Sequence, residues 1–185
     1  MRIISGILGG RRIQPPAKMP YTRPTTDIAR EGLFNILQNS IELEGIKTLD
    51  LFGGTGTISY ELYSRGAADL TVVEKDKTMY DFIVRTAEAL KCENFKVIRT
   101  DVFKFISQCT EKFDFIFAGP PYALNTIDEL PVEIFRYRLL EPKGWFVLEH
   151  TPRNEYSGYE HYLKSRNYGT TVFSIFENPV STESL

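Results

Sequence analysis

Several short patterns in this 185-residue chain carry residue types that can do chemistry. Leu49-Asp50-Leu51-Phe52-Gly53-Gly54-Thr55-Gly56 joins an apolar run to a helical pattern. Glycines at such a junction let the backbone turn tightly against a ligand, and the helix start beside them offers unpaired N–H groups. Glu74 closes the run Leu70-Thr-Val-Val-Glu74, where a carboxylate can accept both hydroxyls of a ribose. Asp101 follows Lys96-Val-Ile-Arg-Thr100, where it can accept from an adenine amino group. Asp50 can orient the glycine loop or meet a cationic amino group. Phe113-Asp-Phe-Ile-Phe-Ala-Gly-Pro-Pro-Tyr122 is an apolar strand running into a Pro120-Pro121-Tyr122 turn. Each acid taken alone reads more readily as a strand end or a helix cap. In order, and at the carboxyl ends of successive strands, they point to a nucleoside cofactor. A dinucleotide loop would run Gly-x-Gly-x-x-Gly, whereas Gly54-Thr55-Gly56-Thr57-Ile58-Ser59 ends in Ser, which disfavours a nicotinamide oxidoreductase.

Placing these residues together requires a particular set of elements. Short apolar runs occur at Thr48–Phe52, Leu70–Glu74, Phe95–Arg99, Phe113–Ala118 and Trp145–Glu149. Helical patterns fall between and after them, at about 56–65, 77–91, 102–109 and 126–139. Such alternation predicts an α/β fold with a mostly parallel sheet covered on both faces. The tail breaks the rhythm: Tyr162–Arg166, a Tyr168-Gly169 turn and Thr170–Glu177 predict a C-terminal antiparallel hairpin, for seven strands in all. Residues 1–14 read as a β-hairpin around Gly9-Gly10, and residues 15–26, with four prolines, as a loop. Thr26 or Asp27 then caps a helix whose Ile28, Leu33, Phe34 and Leu37 make one apolar face. Residues 1–40 are thus an extension too small for its own core, attached to a body formed by residues 41–185.

Charge divides the chain the same way. Residues 1–30 hold six basic residues against Asp27 alone, a net of +5, which leaves −7 for the remainder of a chain whose total is −2. A basic arm on an acidic body suits phosphate, so Arg2, Arg11, Arg12, Arg23 and Arg30 are candidate contacts to a nucleic-acid backbone; a hairpin with ordinary solvated arginines accounts for the charge equally well. No apolar stretch is long enough to span a bilayer and no signal peptide is evident, so a cytoplasmic protein is expected. Cys92 and Cys109 lack metal-ligand spacing and are expected to be reduced structural thiols, and no metal site is expected. His150 at a strand end has no assigned chemistry.

The order Asp-x-Phe-x-Gly-x-Gly, Glu, Asp, Pro-Pro-Tyr resembles class I methyltransferases that use S-adenosyl-L-methionine (SAM). The likeness extends further. Met1-Arg-Ile-Ile-Ser-Gly6, Gly10-Arg-Arg12, Arg23-Pro-Thr-Thr-Asp27, Arg30-Glu-x-Leu-Phe-Asn35, Ser64-Arg-Gly-Ala67, Val73-Glu-Lys-Asp76 and Arg166-x-Tyr-Gly169 are similar to the motifs of RsmD-type bacterial 16S rRNA guanine-N2 methyltransferases. The resemblance spans essentially the whole chain. It implies a Rossmann-like class I fold and SAM held by Asp50, Phe52, Gly53, Gly54, Gly56, Glu74, Lys75, Asp101 and Val102. It also implies a catalytic turn at Gly119, Pro120, Pro121 and Tyr122, and a guanine amine of 16S rRNA in a partly assembled small subunit as target. A monomer is the simplest expectation.

One residue departs from that family's pattern. Amino-methyltransferases carry Asp or Asn just before the two prolines, where its oxygen holds the target amine; here the residue is Gly119. The guanine N2 lone pair is delocalised into the ring, so the enzyme must accept hydrogen bonds from the amine and align it with the sulfonium methyl. The Pro120 carbonyl and a stacking Tyr122 remain, but loss of one preorganised acceptor costs about 10²–10³ in rate. An inactive SAM- and RNA-binding homologue, a water or neighbouring group standing in, and a single-base change are the competing accounts, and Gly119→Asp is expected to raise turnover. Asp114 opens the strand at the opposite end and cannot substitute. An adenine-N6 DNA methyltransferase shares the Pro-Pro-Tyr logic but usually needs a target-recognition domain, for which the chain has no residues left.

Overall fold

The computed structural model describes residues 1–19 and 24–180. Its centre is a seven-stranded sheet formed by β1 (Lys47–Leu51), β2 (Asp69–Val73), β3 (Phe95–Ile98), β4 (Phe113–Ala118), β5 (Leu140–His150), β6 (Tyr162–Tyr168) and β7 (Thr171–Glu177). The spatial order is β3-β2-β1-β4-β5-β7-β6. The first five strands are parallel, and β7 pairs antiparallel to both β5 and β6. This is the mostly parallel sheet with a terminal hairpin that the apolar runs predict.

Helices α1 (Asp27–Ser40), α2 (Thr57–Ser64), α3 (Lys77–Ala89), α4 (Val102–Gln108) and α5 (Glu129–Arg136) cover the sheet. Along β4 the side chains alternate between faces with period two. Ile116 and Ala118 join the core under α4 and α5 with Ile106, Leu130 and Ile134, while Phe115 and Phe117 join Leu33, Phe34 and Leu37 of α1. A third cluster sets Ile3 and Ile13 of the N-terminal segment against Tyr60 of α2 and Met79 and Ile83 of α3. Thr26 is the cap of α1, its hydroxyl accepting from Ala29 N at 3.2 Å, and Asp27 is the first helical residue.

Three boundaries differ from expectation. The helix predicted over 126–139 is confined to Glu129–Arg136, with turns before it and a left-handed Arg138 after it. β5 begins at Leu140, five residues early, because Leu140 pairs with Phe113 across a register shift that the Pro142–Gly144 stretch absorbs. The N-terminal hairpin is reduced to one bridge, Arg2 with Arg12, closed by Ile3 N to Arg11 O and Ile13 N to Met1 O.

That hairpin is held down by α2 and not by its own ladder. Glu61, fully buried, accepts from Ile4 N at 2.8 Å and Ser5 N at 3.0 Å while pairing with Arg65. Ser64 takes Leu8 N on its hydroxyl and Ile7 N on its carbonyl. The approach is so close that a Cβ on Gly6 would lie 1.7 Å from Ser64 O, at a backbone φ of +80°. Cys92 and Cys109 are free thiols, and burial pushes Cys92 up to about 11. Among the described residues no helix is long and apolar enough to cross a membrane, and no cluster of His, Cys, Asp and Glu has the makings of a metal site.

Candidate active site

Register decides where the predicted residues meet. Leu51 is level with Val73 on one side and Ala118 on the other, and Val73 with Ile98. The residues that follow these strands therefore rise along one edge of the sheet. β1 lies between β2 and β4, the point where strand order reverses and a crevice opens between diverging connections. A cleft of about 650 Å³ occupies that edge. Asp50, Phe52, Gly53, Gly54, Glu74, Lys75, Asp101, Val102, Gly119, Pro120 and Pro121 all line it.

One end of the cleft is built on backbone amides and carboxylates. Glu74 accepts from Gly54 N at 2.8 Å and from Asp76 N at 2.7 Å, which fixes the glycine loop against β2. Burial nevertheless raises its pKa above the ordinary carboxylate value. Asp101 caps α4 by accepting from Phe103 N and Lys104 N, and its other oxygen lies 3.5 Å from Lys75 Nζ. Asp101 is thus both the helix cap and a residue of the cleft lining. Gly56 is not among the lining residues; it starts α2 at a φ of +76° and lies against Tyr60. Asp50, 2% exposed, accepts from the Ser59 hydroxyl of α2 at 2.8 Å. Burial pushes its pKa up to about 8, with the nearby charges of Glu74 and Glu149 adding to the rise and Ser59 opposing it.

The other end of the cleft is the turn after β4. Gly119 N donates to Leu51 O at 3.3 Å, and Leu124 N closes the turn on Pro121 O at 2.9 Å. Tyr122 is half-buried and outside the lining, its hydroxyl 3.3 Å from Glu149 Oε1 and 3.4 Å from Thr171 Oγ1. Glu149, 4% exposed at the end of β5, reaches into the cleft and accepts from Thr25 Oγ1 at 2.5 Å. Sequence reasoning passed over it, although its place is signalled by a charge ending the apolar run Trp145–Leu148. Arg99, Thr55, Thr57 and Leu124 also line the cleft. His150 is buried and bonded to Thr151 O and Ser174 Oγ; burial lowers its pKa, so it is a neutral structural group. Asp114 accepts from Lys47 N at the far end of the sheet.

The basic arm divides. Arg2, Arg11 and Arg12 are exposed, and Arg23 lies outside the described residues. Arg30 corrects the expectation of an RNA contact: it is 1% exposed, and its guanidinium donates to Arg2 O at 2.6 Å and Asp27 at 3.0 Å. A cation so enclosed, with a pKa lowered by burial, ties the hairpin to α1 and is out of reach of a phosphate.

Comparison with known proteins agrees with this geometry. The family described as conserved hypothetical protein 95 matches residues 1–177. Ribosomal RNA small subunit methyltransferase D of Escherichia coli K12 is 33% identical over 149 residues, 80% of this chain and 71% of the relative. The chain belongs to that family. A hypothetical protein of Thermus thermophilus, 26% identical, superposes with a TM-score of 0.83 over 96% of this chain and 99% of its own. The 16S rRNA N2 G1207 methyltransferase of the same organism, solved with AdoMet and guanosine, shares the fold at a TM-score of 0.68 and 20% identity, covering 85% of this chain and 44% of that one.

Proposed function

We propose that the chain transfers a methyl group from SAM to the N2 amine of a guanine in 16S rRNA, within a partly assembled small ribosomal subunit in the cytoplasm. Membership in the small-subunit methyltransferase family supports rRNA methylation as the activity. The observation that carries the finer reading is the continuous cleft that joins the Glu74 and Asp101 end to the Gly119-Pro120-Pro121 turn.

The donor set fits SAM. Glu74 would take the ribose hydroxyls, Asp101 the adenine amine, and the glycine loop with Asp50 the cationic amino-acid part. Bound there, the cofactor supplies an electrophilic methyl on sulfur. The chain's own residues supply orientation: the Pro120 carbonyl accepts from the target amine, and the cleft walls exclude competing water. Arg2, Arg11 and Arg12 grip backbone phosphates, which positions the RNA without reading its sequence. Residues 1–40 thus act as an RNA-contact arm on a catalytic body of residues 41–185, and the protein works as a monomer.

Gly119 favours a second reading, a homologue that binds SAM and RNA without turnover. One experiment separates the two. Small subunits lacking the modification are incubated with labelled SAM, and the rRNA is digested to nucleosides. Label in N2-methylguanosine is the expected result. Label in a methylated adenine would overturn the guanine assignment, and SAM binding with no transfer would establish the second reading.

A further inference from the structure

The missing acceptor at position 119 has a neighbour in the right place. β4 and β5 run parallel with Ala118 level with Leu148, so Gly119 and Glu149 emerge side by side. A Cβ on Gly119 would lie 3.0 Å from Phe117 Cε1 and 3.7 Å from Glu149 Oε2. A side chain at 119 would therefore stand in van der Waals contact with the Glu149 carboxylate, and the two positions face the same part of the cleft from adjacent strands. We propose that Glu149 is the catalytic acceptor that holds the target amine, in the place that a side chain at 119 would otherwise fill. The proposal rests on the amine-methylation reading above.

The surroundings of Glu149 suit that task. It is 4% exposed yet lines the cleft beside Gly119 and Pro120, so its carboxylate is desolvated and directed at the same space as the turn. Thr25 donates to Oε2 at 2.5 Å and Tyr122 to Oε1 at 3.3 Å, one hydroxyl from each side of the site. Each carboxylate oxygen accepts from more than one donor, so these bonds fix the group's orientation while it takes an N–H. An amine held between Glu149 and the Pro120 carbonyl gives up both hydrogens to acceptors, which directs its lone pair toward the methyl. Tyr122 acts here as a positioning residue through Glu149. In the transfer itself the amine nitrogen forms the new N–C bond, the sulfur–carbon bond breaks with its pair left on sulfur, and the departing amine proton passes to Glu149 or water.

The test pairs turnover with a binding readout. Glu149→Ala, which removes both acceptor oxygens, should lower the methyl-transfer rate by about 10²–10³ while SAM affinity changes less than about threefold. Gly119→Asp placed in the Glu149→Ala protein should recover about tenfold or more, because a carboxylate is restored to that part of the cleft. In parallel, guanosine and inosine, which differ only in the 2-amino group, are titrated into each protein with S-adenosylhomocysteine present and followed by NMR. The unaltered protein should prefer guanosine by about tenfold and Glu149→Ala should lose the preference. Equal binding of the two nucleosides by the unaltered protein, or a preference and a rate that survive Glu149→Ala, would overturn the role of Glu149. Label found in methylated adenine would instead overturn the guanine reading, so the two failures are distinct.

Discussion

On the proposed reading of the site, the buried acid beneath the glycine loop should make cofactor binding a proton-coupled event. Asp50 is 2% exposed with a pKa pushed up to about 8, so it is mostly protonated in the empty cleft at neutral pH. A cationic ligand placed against it binds the ionised form, and a proton must leave. With a pKa near 8, the ionised fraction rises from roughly 1% at pH 6 to roughly 9% at pH 7, so SAM affinity should strengthen about ninefold over that single unit. Calorimetric titration at the two pH values, repeated in buffers of different ionisation enthalpy, reads both the affinity and the release of close to one proton. Asp50→Asn should flatten both. The stability of the empty protein must move the other way. A carboxyl whose folded pKa is raised contributes stability that is complete below its unfolded pKa, near 3.8, and is lost as pH climbs toward 8. The loss runs across that window, and Glu74, raised in the same direction, adds to it. Equal SAM affinity at pH 6 and pH 7 with no proton released would refute the reasoning.

Glu61→Ala strands the Arg65 guanidinium and the amides of Ile4 and Ser5, and should cost about 3–5 kcal/mol in urea unfolding. Gly6→Ala meets Ser64 O at a backbone φ of +80°, so it should release the hairpin, weakening small-subunit binding while SAM affinity measured by calorimetry is retained. Arg11→Ala with Arg12→Ala should weaken subunit binding uniformly and lower the slope of log K against log salt by about two, whereas Arg30→Ala should lower the melting temperature.

Strand and helix alternation was readable because strands of a parallel sheet are buried on both faces and appear as short apolar runs. Glu74 and Asp101 were readable for a related reason: polar residues ending such runs fall at one edge of the sheet. What escaped depended on partners distant in sequence. Arg30 looks like any helix-surface arginine until Arg2 O, 28 residues earlier, is seen to receive it. Glu149 is adjacent to Gly119 only through the register of β4 with β5, which neither strand encodes alone. The early start of β5 likewise comes from pairing with Phe113, against the turn propensity of Pro142 and Gly144.

Helix α2 has a consequence beyond packing. Its first turn begins at the glycine loop, Ser59 secures Asp50 beneath that loop, and Glu61 and Ser64 carry the arginine-bearing hairpin. Eight residues of helix, about 12 Å, therefore set the span between the glycine loop and the arginine-bearing hairpin. The helix works as a gauge block. One residue inserted within α2 would swing its far anchor by about 100°.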